Sequence, residues 1–91
     1  RTGALRSQED LMPHLTISDL RVGQSAYVLG YANDSQYVQR LEHLGLIPGT
    51  RITLLRTAPL GDPVQIRFRG FSLALRPAEA KDLRLGTESV Q

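Results

Sequence analysis

The chain has 91 residues, no cysteine and a formal net charge of +2. This length allows one small domain. The lack of cysteine excludes a disulfide framework, a thiolate zinc site, an iron–sulfur cluster and a thiol nucleophile. The basic balance falls short of a dedicated nucleic-acid arm, and no apolar run is long enough for membrane insertion. We expect a mobile leader over residues 1–14, a folded domain over 15–86 and a frayed tail over 87–91.

The first half of the domain predicts a helical turn, a strand and a helix. Residues 17–22 favour one turn that Gly23 ends, and residues 25–31 alternate as a strand does. A helix follows, with apolar residues spaced i, i+4, i+7 on one face. This predicted face comprises Tyr37, Val38, Leu41 and Leu44. Gly45 fits the left-handed position that closes a helix, and Leu46 is expected to fold back onto the last turn.

The second half predicts a long strand followed by a hairpin. Residues 50–58 are rich in β-branched side chains, and the two prolines of residues 59–63 indicate a loop. Arg69 and Gly70 fit a two-residue hairpin turn. This turn pairs Phe68 with Phe71, Ile66 with Leu73 and Val64 with Leu75. All three pairs are apolar and are expected to face the core, whereas a slip of one residue would pair apolar with polar side chains.

A helical turn and a short strand are the last predicted elements, and with them the fold class can be predicted. Residues 77–82 favour one helical turn, because Pro77 suits a first helical position, and Leu83 with Leu85 indicates a final short strand. The sum is about five short strands with one α-helix between the first and the second. This order predicts a mainly β fold, a small closed or partly open β-barrel with one inserted helix.

Residues able to perform catalysis are scarce. Lys81 is followed by Asp82, so the chain lacks the Lys-Ser or Lys-Thr of a phosphate-binding loop. The two histidines, His14 and His43, have no nucleophile-elbow pattern near them. No general acid–base arrangement can be assembled from these residues. The sequence therefore predicts a protein that is not an enzyme and requires no cofactor.

Two groups of side chains have the donor atoms for Fe²⁺ or Zn²⁺. One is Glu42 with His43, and the other is His14 with Glu9 and Asp10. Neighbouring side chains on a helix diverge by about 100°, so Glu42 and His43 do not easily chelate one ion. They are either solvated polar residues or part of a site shared between two chains. The second alternative predicts a metal-responsive module that forms a homodimer when it binds the ion.

The arginines on one predicted strand are candidates for nucleic-acid binding. Arg67 and Arg69 alternate on the predicted outer face, where they could bind phosphates. Base stacking usually needs exposed aromatic side chains as well, and Phe68 and Phe71 are predicted to face the core. We therefore expect a solvated arginine face and no nucleic-acid partner.

Four segments, in this order and at this spacing, carry a family resemblance. They are ISDLRVGQSAYV (17–28), RLEHLGLIPGTRI (40–52), APLGDP (58–63) and LALRPAEAKDL (73–83). Together, from about Leu15 to Leu85, they resemble FeoA, the small cytosolic component of bacterial ferrous iron transport. The resemblance implies an SH3-like β-barrel with a helical insertion and no established catalytic site. It also implies an accessory or regulatory role beside FeoB, the membrane ferrous iron permease with a cytosolic GTP-binding domain.

The resemblance implies a cytoplasmic protein that reaches the inner membrane through its partner and does not insert into it. The family motifs mark the helix with its following turn and, separately, the loop after the long strand. The partner-binding candidates are Arg40, Leu44, Leu46, Leu60, Gly61 and Asp62. Leu60 either anchors a partner or caps the end of the barrel. Arg40 is also the residue that could stabilise charge during GTP hydrolysis on the partner.

Overall fold

The computed structural model describes residues 15–87. Its elements are a 3₁₀ turn (Ile17–Asp19), β1 (Ser25–Tyr31), α1 (Gln36–Leu44), β2 (Arg51–Thr57), β3 (Val64–Phe68), β4 (Phe71–Leu75) and β5 (Leu83–Gly86). The strands form one antiparallel sheet in the order β4-β3-β2-β1-β5. The predicted mainly β fold with one inserted helix is confirmed. The predicted leader and residues 88–91 of the predicted tail lie outside the described residues.

The sheet curls around its core but does not close. The register shifts between Val28 and Gly30 in β1 and between Leu54 and Arg56 in β2. Such bulges bend a strand and increase its twist, so the sheet wraps into a barrel-like shape. Within residues 15–87, β4 and β5 remain its two edges. The molecule is therefore a half-open barrel, and each edge strand has one side without a strand partner.

The core lies between the curled sheet, α1 and the 3₁₀ turn. Alternate residues of β1 and β3 are buried, as the period of a strand requires. The largest fully buried side chains are Ile17, Val28, Leu41, Leu46, Ile52, Leu54, Ile66, Leu75, Leu83 and Leu85. Every helix and strand contributes at least one of these residues, and Leu46 comes from the turn after α1. The core therefore joins all elements into a single cooperative unit.

The β3–β4 hairpin has the predicted register and one unpredicted exposure. Phe68 pairs with Phe71, and the inward pairs follow as expected. Arg69 and Gly70 both have positive φ, 53° and 82°, which is the two-residue turn of type I′. Phe71 lies on the core face, as predicted, because it pairs directly with Phe68. It is nevertheless 65% exposed, so the expectation that it is buried in the core was wrong. Phe71 begins an edge strand, so no further strand of residues 15–87 covers it.

The helix begins and ends where its capping residues stand. The Ser35 hydroxyl accepts a hydrogen bond from the Val38 amide at 3.0 Å, and Gly45 closes the helix with φ of 111°. Leu46 folds back as predicted, and its amide donates to the Leu41 carbonyl at 3.0 Å. Leu44 does not lie on the buried face, contrary to prediction, and is 48% exposed. The fold-back buries Leu46 fully, so the apolar contact at the end of α1 comes from the residue after Gly45.

Candidate partner-binding surfaces

The loop between β2 and β3 holds Leu60 in the solvent, where it is 95% exposed. Two backbone hydrogen bonds close this loop: the Gly61 amide donates to the Ala58 carbonyl at 2.8 Å, and the Ala58 amide donates to the Pro63 carbonyl at 3.0 Å. The Asp62–Pro63 peptide bond is cis. A leucine at this exposure does not cap the end of the barrel, so that alternative is wrong, and the role of Leu60 as a partner anchor stays a prediction.

A shallow apolar depression of about 300 Å³ adjoins this loop. It lies between Pro59 and Pro63 of the loop and Ala74 of β4. Asp62 also pairs with Arg76, at 3.3 Å between Oδ1 and Nη1, and both side chains are largely exposed. Exposed ion pairs contribute little stability, so this pair mainly adds polar groups beside the loop. We call Leu60, Gly61, Asp62 and the depression the loop surface.

The end of α1 forms a second exposed surface with the β3–β4 turn. A methyl group on Gly45 would lie 3.5 Å from Arg69 Nη1 and 3.6 Å from Phe68 Cε2. The Phe71 ring packs at a tilt against Phe68, with centroids 6.4 Å apart. The helix end and the hairpin turn are therefore neighbours. We call the exposed side chains at this junction the helix-end surface: Leu44, Ile47, Arg69 and Phe71.

Leu46, a predicted partner contact, lies in the core with no exposed side chain. Its carbonyl accepts a hydrogen bond from the Tyr31 hydroxyl at 2.7 Å. Burial, and secondarily the negative charge of Glu42, raises the pKa of Tyr31, so the hydroxyl stays a donor. The Thr50 hydroxyl likewise donates to the Gly45 carbonyl at 2.9 Å. Leu46 is therefore a structural residue that holds the turn in place, and the assignment of its side chain to a partner is corrected.

The remaining predicted residues fall into two groups that β3 separates. Leu60, Gly61 and Asp62 precede the start of β3, whereas the helix-end surface meets the turn at its other end. A strand of five residues spans about 13 Å. Arg40 is exposed on α1, one helical turn before Leu44. The structure therefore brings together the three loop residues, and it keeps them apart from Arg40 and Leu44.

Glu42 and His43 have no further metal ligands near them in the part of the chain that the structure describes. Both are exposed in the last turn of α1, and residues 15–87 contain no group of three or more His, Asp or Glu that could hold an ion. His14, Glu9 and Asp10 lie outside the described residues. A metal site therefore stays a prediction, and it would need ligands from a second copy or from outside residues 15–87.

Three residues of the helix-end surface, Ile47, Arg69 and Phe71, were absent from the predicted partner-binding set. The sequence carried one signal for Phe71, which directly follows a two-residue turn and so opens the second strand of a hairpin. That this strand is an edge is decided by the pairing of β5 with β1. Arg67 and Arg69 are exposed close to it. The expectation that no aromatic side chain accompanies these arginines in solvent is therefore corrected.

The fold and these surfaces define a class of protein: a small SH3-like β domain that offers surfaces for contact. The FeoA domain family model matches residues 15–85. The chain therefore belongs to the FeoA domain family, and the resemblance found in the sequence is confirmed. In residues 15–87, no helix has the length and apolar character of a membrane-crossing one.

Relatives of known description place the family in ferrous iron transport. A fusion of Fe(2+) transport protein A with the Fe(2+) transporter FeoB, from Porphyromonas gingivalis, is 27% identical over 71 residues, which cover 78% of this chain and 8% of that protein. The chain thus spans a small part of that relative's length. Two solved structures resemble this chain over most of its length and most of theirs.

The first is the NMR structure of a FeoA-like protein from Clostridium acetobutylicum, 31% identical, with a TM-score of 0.72 over 86% of this chain and 88% of that one. The second is the crystal structure of Stenotrophomonas maltophilia FeoA complexed with zinc, 26% identical, with a TM-score of 0.72 over 82% and 93%. That protein is described as a prokaryotic SH3 domain protein and a suggested activating factor of ferrous iron transport. The SH3-like fold is confirmed.

Proposed function

We propose that this chain is a non-enzymatic accessory and regulatory protein of bacterial ferrous iron uptake. It acts on the cytosolic GTP-binding part of a FeoB-type transporter and therefore works on the cytoplasmic side of the inner membrane. It reaches the membrane through this partner and does not enter the bilayer itself.

The observation that carries this proposal is the fusion of the same domain to FeoB in the Porphyromonas gingivalis relative. Joining two domains in one chain gives each a high effective concentration near the other. A domain on a separate chain must obtain the same proximity through an interface of its own. Such an interface needs a surface on which an apolar anchor is already exposed.

The loop surface meets this requirement best. Leu60 is the most exposed of the large hydrophobic residues in the described chain, and its loop is closed by backbone hydrogen bonds. Burying a leucine side chain contributes about 1.5–3 kcal/mol, and a pre-ordered loop loses little conformational entropy on binding. Leu60 is accordingly the proposed anchor for the transporter.

The test is calorimetric binding of the full chain to the isolated cytosolic domain of its cognate transporter. Binding is measured with GDP and with a GTP analogue, with and without Fe²⁺ under anaerobic conditions. We expect Leu60→Asp to weaken binding about 30-fold or more, as loss of an interface anchor does. Val22→Asp is the matched control, because Val22 is also an exposed apolar residue but lies in the loop before β1.

Amide NMR spectra of both variants establish that the barrel is intact. Unchanged affinity in Leu60→Asp would remove the loop surface from the proposal. Absence of binding in every nucleotide state would contradict action on the GTP-binding part. A difference between the GDP and GTP-analogue states would identify nucleotide as the signal that the chain reads.

A further inference from the structure

Among residues 15–87, one edge of the sheet is paired at a single bridge and the other edge has no pairing on its outer side. At β5, Leu15 pairs with Leu85 through two backbone hydrogen bonds of 2.7 and 2.8 Å. At β4, no strand of residues 15–87 is hydrogen-bonded on the outer side. Exposed edges with free backbone groups are sites where an extended segment can add as a further strand. Within the described residues, the β4 edge is therefore the more accessible place for such an addition.

The hairpin geometry identifies which backbone groups of β4 are free. Residues that flank a two-residue turn form a hydrogen-bonded pair, and such pairs alternate along an antiparallel ladder. Phe71, Leu73 and Leu75 therefore direct their backbone groups toward β3. Ser72 and Ala74 direct theirs outward, and both residues are exposed. The edge thus presents two amide donors and two carbonyl acceptors, at the spacing of an extended strand.

The side chains around this edge differ between its two faces. On the inner face, Phe71 is 65% exposed and Leu73 is half-buried, so both have apolar surface left to cover. On the outer face, Arg67 pairs with Ser72 across the hairpin. Because the Ser72 and Ala74 side chains are small, the arginine can reach across β4 toward an added strand.

Charge indicates what kind of segment fits. Residues 64–76 include Arg67, Arg69 and Arg76 and no acidic residue, and the one ion pair seen among the described residues joins Arg76 to Asp62. A second copy paired antiparallel about Leu73 would place Arg76 of each protomer opposite Gly70 of its partner, one position from the partner's Arg69. Like charges so placed are unfavourable, whereas acidic side chains are complementary.

We propose that β4 binds an extended acidic peptide segment of a partner protein by strand addition. Apolar residues of that segment cover Phe71 and Leu73, and its alternating acidic residues lie opposite Ser72 and Ala74, within reach of Arg67. The edge would serve an acidic segment of any partner. Its test therefore uses a synthetic peptide and does not depend on the transporter.

The probe is a fluorescein-labelled peptide of alternating valine and glutamate, seven residues long, titrated into the full chain and followed by anisotropy and amide NMR. The matched peptide has lysine in place of glutamate. Ala74→Pro removes an outward donor without removing a hairpin bond, because proline is tolerated at an edge. Arg67→Glu reverses the charge, and Arg21→Glu, in the loop before β1, is the control.

We expect shift changes along β4, no binding of the lysine peptide, and roughly tenfold weaker binding of the glutamate peptide to Ala74→Pro and to Arg67→Glu. Arg21→Glu binds as the wild type does, and added salt weakens binding. If Ala74→Pro does not fold, Phe71→Ser replaces it and is expected to weaken binding as well. Three outcomes would overturn the proposal: shift changes elsewhere, self-association that Ala74→Pro abolishes in place of peptide binding, or tighter binding of single-stranded oligothymidine than of the peptide.

Discussion

Polar side chains around the turn after α1 hold backbone in place. Tyr31 and Thr50 donate to the carbonyls of Leu46 and Gly45. Both acceptors belong to the turn after α1, so these bonds tie that turn to β1 and to the residue before β2. In the sequence alone, such residues resemble candidates for binding as much as structural supports. The geometry assigns them to the support of the helix-end surface, which is thereby held in one conformation.

Tyr31→Phe tests this assignment. At pH 7 we expect the variant to lose about 1 kcal/mol of unfolding free energy, because the Leu46 carbonyl loses its donor. Burial raises the folded-state pKa of Tyr31 above its ordinary value of about 10. Above that value the unfolded chain ionises while the folded chain does not, so this stabilisation declines as pH rises toward the folded pKa.

The phenylalanine variant has no such ionisation. The difference in stability between wild type and Tyr31→Phe should therefore shrink as pH rises past about 10. Urea denaturation of both proteins at several alkaline pH values measures this difference, and it should be constant between pH 5 and 7. If the difference in unfolding free energy also stays constant at alkaline pH, folding does not raise the pKa of Tyr31.

The β3–β4 hairpin is the element in which local sequence and tertiary structure agree most closely. Its register follows from three apolar pairs and a two-residue turn. The turn is nevertheless strained at Arg69, because this residue has a positive φ of 53°. Arginine rarely adopts this conformation, whereas asparagine before glycine is the preferred pair for a type I′ turn. Arg69 also lies against Gly45, which gives the side chain a packing role.

Arg69→Asn is expected to raise the unfolding free energy by roughly 0.5 kcal/mol or more. The gain comes from relief of the left-handed strain at the first turn position. Arg67→Asn is the control, since the same change inside β3 lowers strand propensity and should give no gain. Thermal and chemical denaturation of the two variants measure the effect. A less stable Arg69→Asn would mean that packing against the helix end outweighs the strain.

At the scale of the whole molecule, an open sheet predicts that backbone amides at its edge exchange their hydrogens faster than those in its centre. In the described part of the chain, the central strands pair on both sides, whereas β4 pairs with β3 only. We expect the outward amides of Ser72 and Ala74 to exchange rapidly, and those of Phe71, Leu73 and Leu75 to be protected by the hairpin. Hydrogen exchange followed by NMR measures each amide separately. Protection of Ser72 and Ala74 equal to that of their neighbours would show that β4 is covered in solution.

The predicted elements depend on information that lies close together in the chain. The hairpin register follows from pairs within a dozen residues, and the helix stop from Gly45 and the residue after it. Family membership likewise rests on contiguous motifs. For these features, sequence and structure agree because local sterics and alternation decide them before distant contacts form.

The candidate surfaces depend on contacts that the chain does not place side by side. Leu44 and Leu46 are both apolar residues near a helix end, and only the fold-back onto the core buries one and exposes the other. Phe71 is exposed because the sheet stays open at β4, and Leu60 is exposed because its loop closes on itself. Burial at the end of an element depends on which distant element packs there. Periodicity within a segment therefore predicted the strands and the helix, while tertiary packing decided which of their residues face a partner.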